Sequence, residues 1–585
     1  MTSDGEAAAI AWLTPGELRI GLGCMRLSTD PERDEARAFA TVHAALAAGV
    51  TVFDSARAYG RDDGDRGHNE RLLARALAAH PDGAQARVVT KGGMTRPDGA
   101  WRPDGRARSI VADCEASLHA LDGRPIDLYL LHAPDPRAPF ATSMRALASL
   151  VERGLVRRVG VSNVSRRELR EALALAPISA IEVALGAGDD EALRGGVVEL
   201  ALRRGLWVLA HAPFGGPKRA ARLGKDVTLA RAAARMGGSA AQAVLRGLVA
   251  LHPRIVALPG AGTPETARSA AAAAHLPLDD ESRALLDERL GTLGPPRPRP
   301  ASARPSIAAE VVLVAGISGA GKSTHVTRFT DAGYERLNRD QRGGTLAAIV
   351  RALEARLAEG AARLVLDNTY VTRRGRYDVL RAAARHGAQV RCVWLDTPLV
   401  EAQRNAIGRM LQAHGRLLTP DELARGGDDP TRLSPRALFA QSQQLEAPEP
   451  DEGFTSIEVV PFVRHPIVHQ ENDSLAEGRA VALEALLAHG PALLDVGTPG
   501  PRLVFAWLPE GEAPLHGATS ELPVERAACT HAGGPPRCWC RPPLPGLLLA
   551  FAHRHRLDVA RLTVVGVSAA HRRLAEAAGA RFVEP

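Results

Sequence analysis

Aromatic side chains make up only 4 % of this 585-residue chain, and no apolar run approaches the roughly 18 residues that cross a bilayer. Neither a membrane-spanning helix nor a membrane partner is expected. Six cysteines are too few for a disulfide framework at this length, and three of them crowd together at Cys529, Cys538 and Cys540. The opening stretch MTSDGEAAAIAWL has no basic region leading into a long apolar segment, so no secretion signal is expected. The chain reads as cytoplasmic and reduced. The shortage of aromatics goes with an abundance of Ala, Arg, Gly and Pro, which reflects coding bias more than function.

What is present is ordinary for a globular chain: 45 % apolar and 24 % charged residues. The net charge of +7 is carried by arginines spread along the sequence, which permits phosphate-rich partners without requiring them. One core cannot serve 585 residues, and at about 100–200 residues per domain three or four domains are expected. We divide the chain at residues 1–293, 294–306, 307–465 and 466–585, all α/β except the second. That second segment, containing GPPRPRPASARP, is Pro- and Arg-rich and reads as a stiff spacer.

In the first part, short β-like runs alternate with amphipathic helical stretches. The runs include VTVFD (50–54), ARVVTK (86–91), IDLYLLH (126–132), RRVGVSN (157–163), ISAIEVA (178–184), LWVLAHA (206–212) and RIVALPG (254–260). Alternation of this length implies parallel pairing and a (β/α)₈ TIM barrel, whose chemistry sits at the C-terminal ends of the strands. Those ends hold Asp54, Lys91 and His132, with Tyr59 in the loop after Asp54. A phenol beside an ammonium that is itself paired with a carboxylate gives up its proton more easily, and a neighbouring histidine can hydrogen-bond a carbonyl.

The stretches GLGCMRLS, FDSARAYG, GHNERLLARAL, VVTKGG, DLYLLHAPD, GLVRRVGVSN and ALPGAGTPE resemble the aldo-keto reductase family over residues 15–290. The resemblance implies NADPH- or NADH-dependent reduction of a small carbonyl substrate. It makes Tyr59 the general acid, has Asp54 and Lys91 tune it, and lets His132 orient the carbonyl. Ser162 and Asn163 match the pair that holds the nicotinamide carboxamide. Glu182 stands where the family commonly has Gln, and His211 occupies the position of the aromatic ring that stacks on nicotinamide. The segment ALPGAGTPETARSAAAA lacks the usual Arg and Asn after the proline-glycine and offers Arg268 instead.

The second α/β part opens with a β-branched run ending in Gly316-Ile-Ser-Gly-Ala-Gly321-Lys322-Ser323, which fits G-x-x-x-x-G-K-S/T between a strand and a helix. Gly316, Gly319 and Gly321 let backbone N–H groups turn towards phosphate oxygens, and a helix beginning near Thr324 adds a favourable dipole. Lys322 would reach the β/γ-phosphates of ATP, and Ser323 would hold Mg²⁺. This predicts a P-loop, doubly wound parallel sheet. Asp340 follows the next strand, where a carboxylate can take a proton from an incoming hydroxyl. Asp367 ends the strand after that and could reach Mg²⁺ through water or support the P-loop. Arg404 and Arg409 lie on a helix whose arginines can neutralise a transferred phosphoryl group. GISGAGKST, AGYERLNRD, LVLDNT and QLEAPEPDEGFTSIEVVPF resemble the kinase domain of polynucleotide kinases, in this order, from about Val311 to Phe462. That implies a nucleic-acid 5′-hydroxyl end as partner and Asp340 as general base. Arg342 or a neighbour would contact the acceptor phosphate. Arg409 fits the lid position better, with Arg404 left open.

In the tail, Cys529, His531, Cys538 and Cys540 form C-x-H-x₆-C-x-C, three thiolates and an imidazole suited to structural Zn²⁺. The surrounding sequence resembles haloacid-dehalogenase-type phosphatases with a zinc loop. The expected first strand, RLVFAWLPEG, has no Asp nucleophile. Pro542 or Pro543 stands where the family's Lys belongs, and Val567 where its late Asp belongs, so a degenerate module that has lost its phosphatase chemistry is expected. The leading reading is a 5′-hydroxyl polynucleotide kinase fused to a reductase. The alternatives are a metabolic enzyme that reduces and phosphorylates a small molecule, or a kinase with a non-catalytic barrel.

Overall fold

The computed structural model describes residues 12–296, 309–425, 429–464, 477–494, 500–508, 524–531 and 533–585. The chain divides into two compact units, Met1–Gly294 and Pro295–Pro585. Most of the Pro/Arg-rich stretch lies outside the described residues, as does the junction expected at 465–466.

The first unit is a closed ring of eight parallel strands: β1 (Leu22–Gly23), β2 (Val52–Asp54), β3 (Arg87–Gly92), β4 (Leu128–Leu131), β5 (Val159–Ser162), β6 (Ile178–Ala184), β7 (Trp207–His211) and β8 (Ile255–Leu258). Parallel bridges Ile20–Ala257 and Gly23–Gly260 close β8 onto β1. Side chains alternate along a strand, so every second residue enters the barrel. Val52, Val89, Leu128, Leu130, Ala180 and Leu209 fill that interior. The same parity, carried to the C-terminal ends, aims Asp54, Lys91, His132, Glu182 and His211 at the mouth above this apolar plug. Packing of the plug thus sets the geometry of the site. After β3 a small antiparallel ribbon, Met94–Thr95 with Arg102–Pro103, lifts Trp101 towards the mouth.

The second unit holds two parallel sheets. In the first, strands β9 (Glu310–Ala315), β10 (Glu335–Leu337), β11 (Arg363–Leu366), β12 (Gln389–Asp396) and β13 (Ser456–Pro461) lie in the order β10-β11-β9-β12-β13. The central β9 is buried over its last five residues, as its β-branched sequence requires, and the helix Lys322–Thr330 follows the glycine loop directly. At the edge, Arg376 and Glu452 form a buried ion pair, with Nε–Oε2 at 2.8 Å and Nη2–Oε1 at 2.7 Å. That pair fixes the DEGF turn before β13.

The second sheet comprises β14 (Gly478–Ala482), β15 (Arg502–Trp507), β16 (Val524–Cys529), β17 (Leu562–Val565) and β18 (Arg581–Val583), in the order β16-β15-β14-β17-β18. This corrects one expectation. RLVFAW is the second strand, and the central first strand is GRAVA at 478–482, too short and too rich in small residues to stand out as a buried strand. The residues after it, Leu483 and Glu484, still supply no Asp.

Candidate active sites

At the barrel mouth Lys91 is almost wholly enclosed, and its Nζ meets four oxygens. It bonds Asp54 Oδ1, donates to Ser55 O at 3.0 Å and to the Tyr59 hydroxyl at 3.3 Å, and lies 3.2 Å from Glu182 Oε2. Because the ammonium donates to the phenol oxygen, the phenol's own proton is free to point into the mouth. Burial opposes the Lys91 charge, but Asp54 and Glu182 together hold its pKa well above the ordinary lysine value. Burial raises both carboxylates, and the Glu182 charge raises Asp54 further, while Lys91 pulls each of them down. Tyr59 is raised by burial, with Lys91 pulling the other way.

His132 lies beside Tyr59, with ring centroids 5.8 Å apart, and its buried Nδ1 has no hydrogen-bond partner. Burial and then Lys91 push its pKa well down, so the ring is a neutral donor or acceptor. Trp101 closes a third side, 6.2 Å from Tyr59 and 5.7 Å from His132, with the Arg96 guanidinium 3.8 Å above its indole. Sequence reasoning missed Trp101. The available signal was an aromatic residue in a Pro/Gly-rich loop directly after a strand-end lysine.

Ser162, Asn163 and His211 also come together. Asn163 donates to His132 O and to Ser162 Oγ, both at 3.0 Å, and His211 Nε2 lies 3.1 Å from Asn163 Oδ1. Asn163 takes a left-handed backbone at φ 57°, which turns its amide out of the strand. Burial lowers His211 to about 4. Glu182, expected among these cofactor-side residues, directs its carboxylate to Lys91 and Asp54 instead. Arg268 is exposed on its helix, 4.0 Å from Glu265.

In the second unit a cavity of about 1440 Å³ is lined by Gly319, Gly321, Lys322, Ser323, Asp340 and Arg409, among others. Gly319 and Gly321 have positive φ, and a Cβ on Gly319 would come within 2.5 Å of Ala402 O. Lys322 Nζ folds back onto Gly316 O and Ile317 O at 2.9 and 2.8 Å, and burial lowers its pKa to about 8. Ser323 and Thr324 are exposed.

Asp340 lies three residues beyond β10, in a short helix capped by Asn338. Asn338 donates to Asp367 O and Oδ1, each at 2.9 Å, and the Arg339 N–H donates to Asn368 Oδ1 at 2.8 Å. The NRD and LDNT motifs therefore form one interlocked unit. Asp367 is buried, and Arg336 also holds its carboxylate, Nε to Oδ1 at 2.9 Å. Its first task is to support the strand ends.

The two candidate arginines separate clearly. Arg404 is taken up by main-chain carbonyls, Nε to Ala577 O at 2.7 Å and Nη2 to Glu576 O at 2.6 Å, and by Glu401. Arg409 lines the cavity with a buried Nε that has no hydrogen-bond partner. Two cations, Lys322 and Arg409, thus face a cavity without a hydrogen-bonded carboxylate among the described residues, which fits a polyphosphate. Arg342 points elsewhere, to Glu335.

The four tail ligands lie within 4.8 Å of one another. Cys529 Sγ is 3.6 Å from Cys538 Sγ and 3.4 Å from His531 Nδ1, and Cys540 Sγ is 3.3 Å from the same nitrogen. Zn–S bonds of ~2.3 Å set tetrahedral ligand–ligand edges of about 3.8 Å, so the set fits Zn²⁺ with little adjustment.

Comparison with known proteins finds a match in each of the two units. Residues 19–290 match the model of the aldo/keto reductase family, and residues 311–423 match that of an AAA domain. A thermostable aldo-keto reductase solved with the inhibitor epalrestat is 29 % identical, covering 46 % of this chain and 94 % of its own, with a TM-score of 0.40. An aldo-keto reductase from Klebsiella pneumoniae in complex with NADPH is 24 % identical over 47 % of this chain and 91 % of its own, also at 0.40. A glycerol dehydrogenase from Gluconobacter oxydans is 24 % identical over 50 % and 95 %, at 0.40. This chain therefore carries an aldo-keto reductase domain at residues 19–290, followed by a P-loop domain of the AAA kind at residues 311–423.

Proposed function

We propose that the chain is a two-activity enzyme, a nicotinamide-dependent carbonyl reductase joined to an ATP-dependent kinase that phosphorylates a polynucleotide 5′-hydroxyl end. The observation that carries the kinase half is one cavity bearing Lys322, Asp340 and Arg409, whose buried Nε has no hydrogen-bond partner. Asp340 supplies the carboxylate that takes the proton of an attacking hydroxyl in a phosphotransferase.

In the barrel, NADPH or NADH supplies the hydride when bound. Ser162, Asn163 and His211 are placed to hold its carboxamide, with Asn163 presented outward by its left-handed backbone. Neutral His132 directs the carbonyl oxygen of the substrate, and Tyr59 hands it the proton that Lys91 leaves unengaged. Trp101 flanks the third side of the mouth, edge-on to Tyr59.

In the P-loop cavity, ATP with Mg²⁺ supplies the phosphoryl group. The loop N–H groups and Lys322 grip its phosphates, and Ser323 and Asp367 are the residues that would hold the metal. Asp340 removes the acceptor proton, and Arg409 neutralises charge on the group in transit. The NRD–LDNT interlock fixes the short helix that carries Asp340 at the cavity wall. The tail, with neither nucleophile nor Lys, acts as a zinc-stapled, non-catalytic module.

One preparation incubated with labelled ATP and either 5′-hydroxyl oligonucleotides or small polyols tests the acceptor. Label is expected in the oligonucleotide. Label only in the polyols would favour the metabolic reading. Carbonyl-dependent oxidation of NADPH by the same preparation tests the other half, and cofactor binding without turnover would favour the scaffold reading.

A further inference from the structure

Resting on the phosphotransferase reading of the P-loop cavity, we propose that the Cys/His loop of the tail anchors the kinase lid. Trp539 is the positioning residue that carries its geometry to the P-loop.

Trp539 sits between two candidate metal ligands, Cys538 and Cys540, and is only 1 % exposed. Its indole does not join the core of the tail sheet. It packs in the same apolar cluster as Met410, Leu411, Leu418, Leu423 and Leu438, all from the segment after β12. Met410 and Leu411 directly follow Arg409 on the helix Leu399–His414. The indole Nε1 donates to Leu433 O at 2.8 Å. Leu433 precedes Ser434, the cap of the helix Pro435–Gln443, and near the far end of that helix Gln441 Oε1 accepts the N–H of Ser318 at 2.9 Å. Ser318 is part of the glycine loop. Asn405, on the Arg409 helix, donates to Gly319 O at 2.8 Å. A continuous path of packed and hydrogen-bonded groups therefore runs from the Cys/His loop, through Trp539, to both sides of the phosphate cradle.

Apart from Trp539, the described part of the loop is held by a few side-chain bonds, Trp507 Nε1 to His531 O at 3.1 Å and Arg541 Nη1 to Gly534 O at 2.6 Å among them. From the end of β16 at Cys529 to the helix Gly546–Arg554 the described residues form no strand or helix. Backbone bonds to the indole residue are few, Gly546 N–H to Trp539 O at 3.2 Å being one. A Cβ on Gly546 would lie 2.4 Å from that oxygen, so the approach is close. A tetrahedral, thiolate-preferring divalent cation such as Zn²⁺ cross-links Cys529, His531, Cys538 and Cys540, and the cross-link fixes the direction in which Trp539 points. Without it the indole loses its fixed base, and the two lid helices lose their register with the glycine loop.

The full chain is tested for zinc content, for affinity towards a non-hydrolysable ATP analogue, and for tryptic cutting at Arg416 and Arg432. We expect one zinc per chain. Chelation should weaken analogue binding at least tenfold and speed cutting, and zinc alone should restore both. Trp539→Ala should keep the zinc yet show the same loss, with Trp539→Phe recovering most of it. Absence of zinc, or unchanged affinity and cutting after chelation or in Trp539→Ala, overturns the proposal. A wild type that never binds the analogue overturns the P-loop reading instead, and the cutting pattern with and without zinc still decides the anchor.

Discussion

Glu182 Oε2 lies 3.2 Å from Lys91 Nζ, although that ammonium already holds Asp54. One buried cation is thus shared by two buried carboxylates, and the extra negative charge makes the Tyr59 phenolate harder to form. In Glu182→Gln the Lys91–Asp54 pair acts on the phenol alone. Alcohol oxidation, which needs the phenolate as base, should then shift its pH optimum towards acid by about one unit. An unchanged profile would show that Glu182 does not tune Tyr59.

The same pair makes a stability prediction. Both carboxylates have folded pKa values raised above their unfolded ones, so the folded state binds more protons. Their contribution is fully present below the unfolded carboxylate range, about 4, and is lost as pH rises through the raised folded values. Glu182→Gln should therefore gain stability on wild type as pH rises from about 4 through the raised carboxylate range. Thermal unfolding of the two proteins across that range checks it.

Tyr59→Phe keeps the ring but removes the proton. Reduction should fall by about 10²–10⁴-fold while NADPH binding, followed by cofactor fluorescence, is retained. Loss of binding instead would assign Tyr59 to the cofactor pocket.

Arg409→Ala should lower phosphoryl transfer by about 10²–10³-fold with the unit still folded. Arg404→Ala, whose guanidinium serves the carbonyls of Ala577 and Glu576, should leave transfer nearly unchanged and cost about 1–3 kcal/mol of stability. Reversed effects would exchange their roles.

Glu452→Ala strands the buried Arg376 guanidinium and should cost about 3–5 kcal/mol in the unfolding transition of the second unit. Calorimetry of the full chain resolves this from the barrel.

Much of the fold was legible because strand parity and strand-end chemistry coincide. Asp54, Lys91 and His132 continue the inward rows of Val52, Val89 and Leu130, so pattern and function speak together. The P-loop strand and its helix were equally plain. Partners distant in sequence were not. Nothing local says that Glu182 turns to Lys91, or that Trp539 leaves its own sheet for the lid. The strand GRAVA was missed because small residues carry little β signal, and burial on both faces is what makes it a strand. Among the described residues no helix is long and apolar enough to cross a membrane, as the composition implied.

The most direct test of the central claim is phosphoryl transfer to a 5′-hydroxyl oligonucleotide by Asp340→Asn, measured beside its affinity for a non-hydrolysable ATP analogue. The account predicts near-normal affinity with transfer reduced by at least about 10²-fold, because only the acceptor proton loses its base. Transfer at the wild-type rate would contradict it.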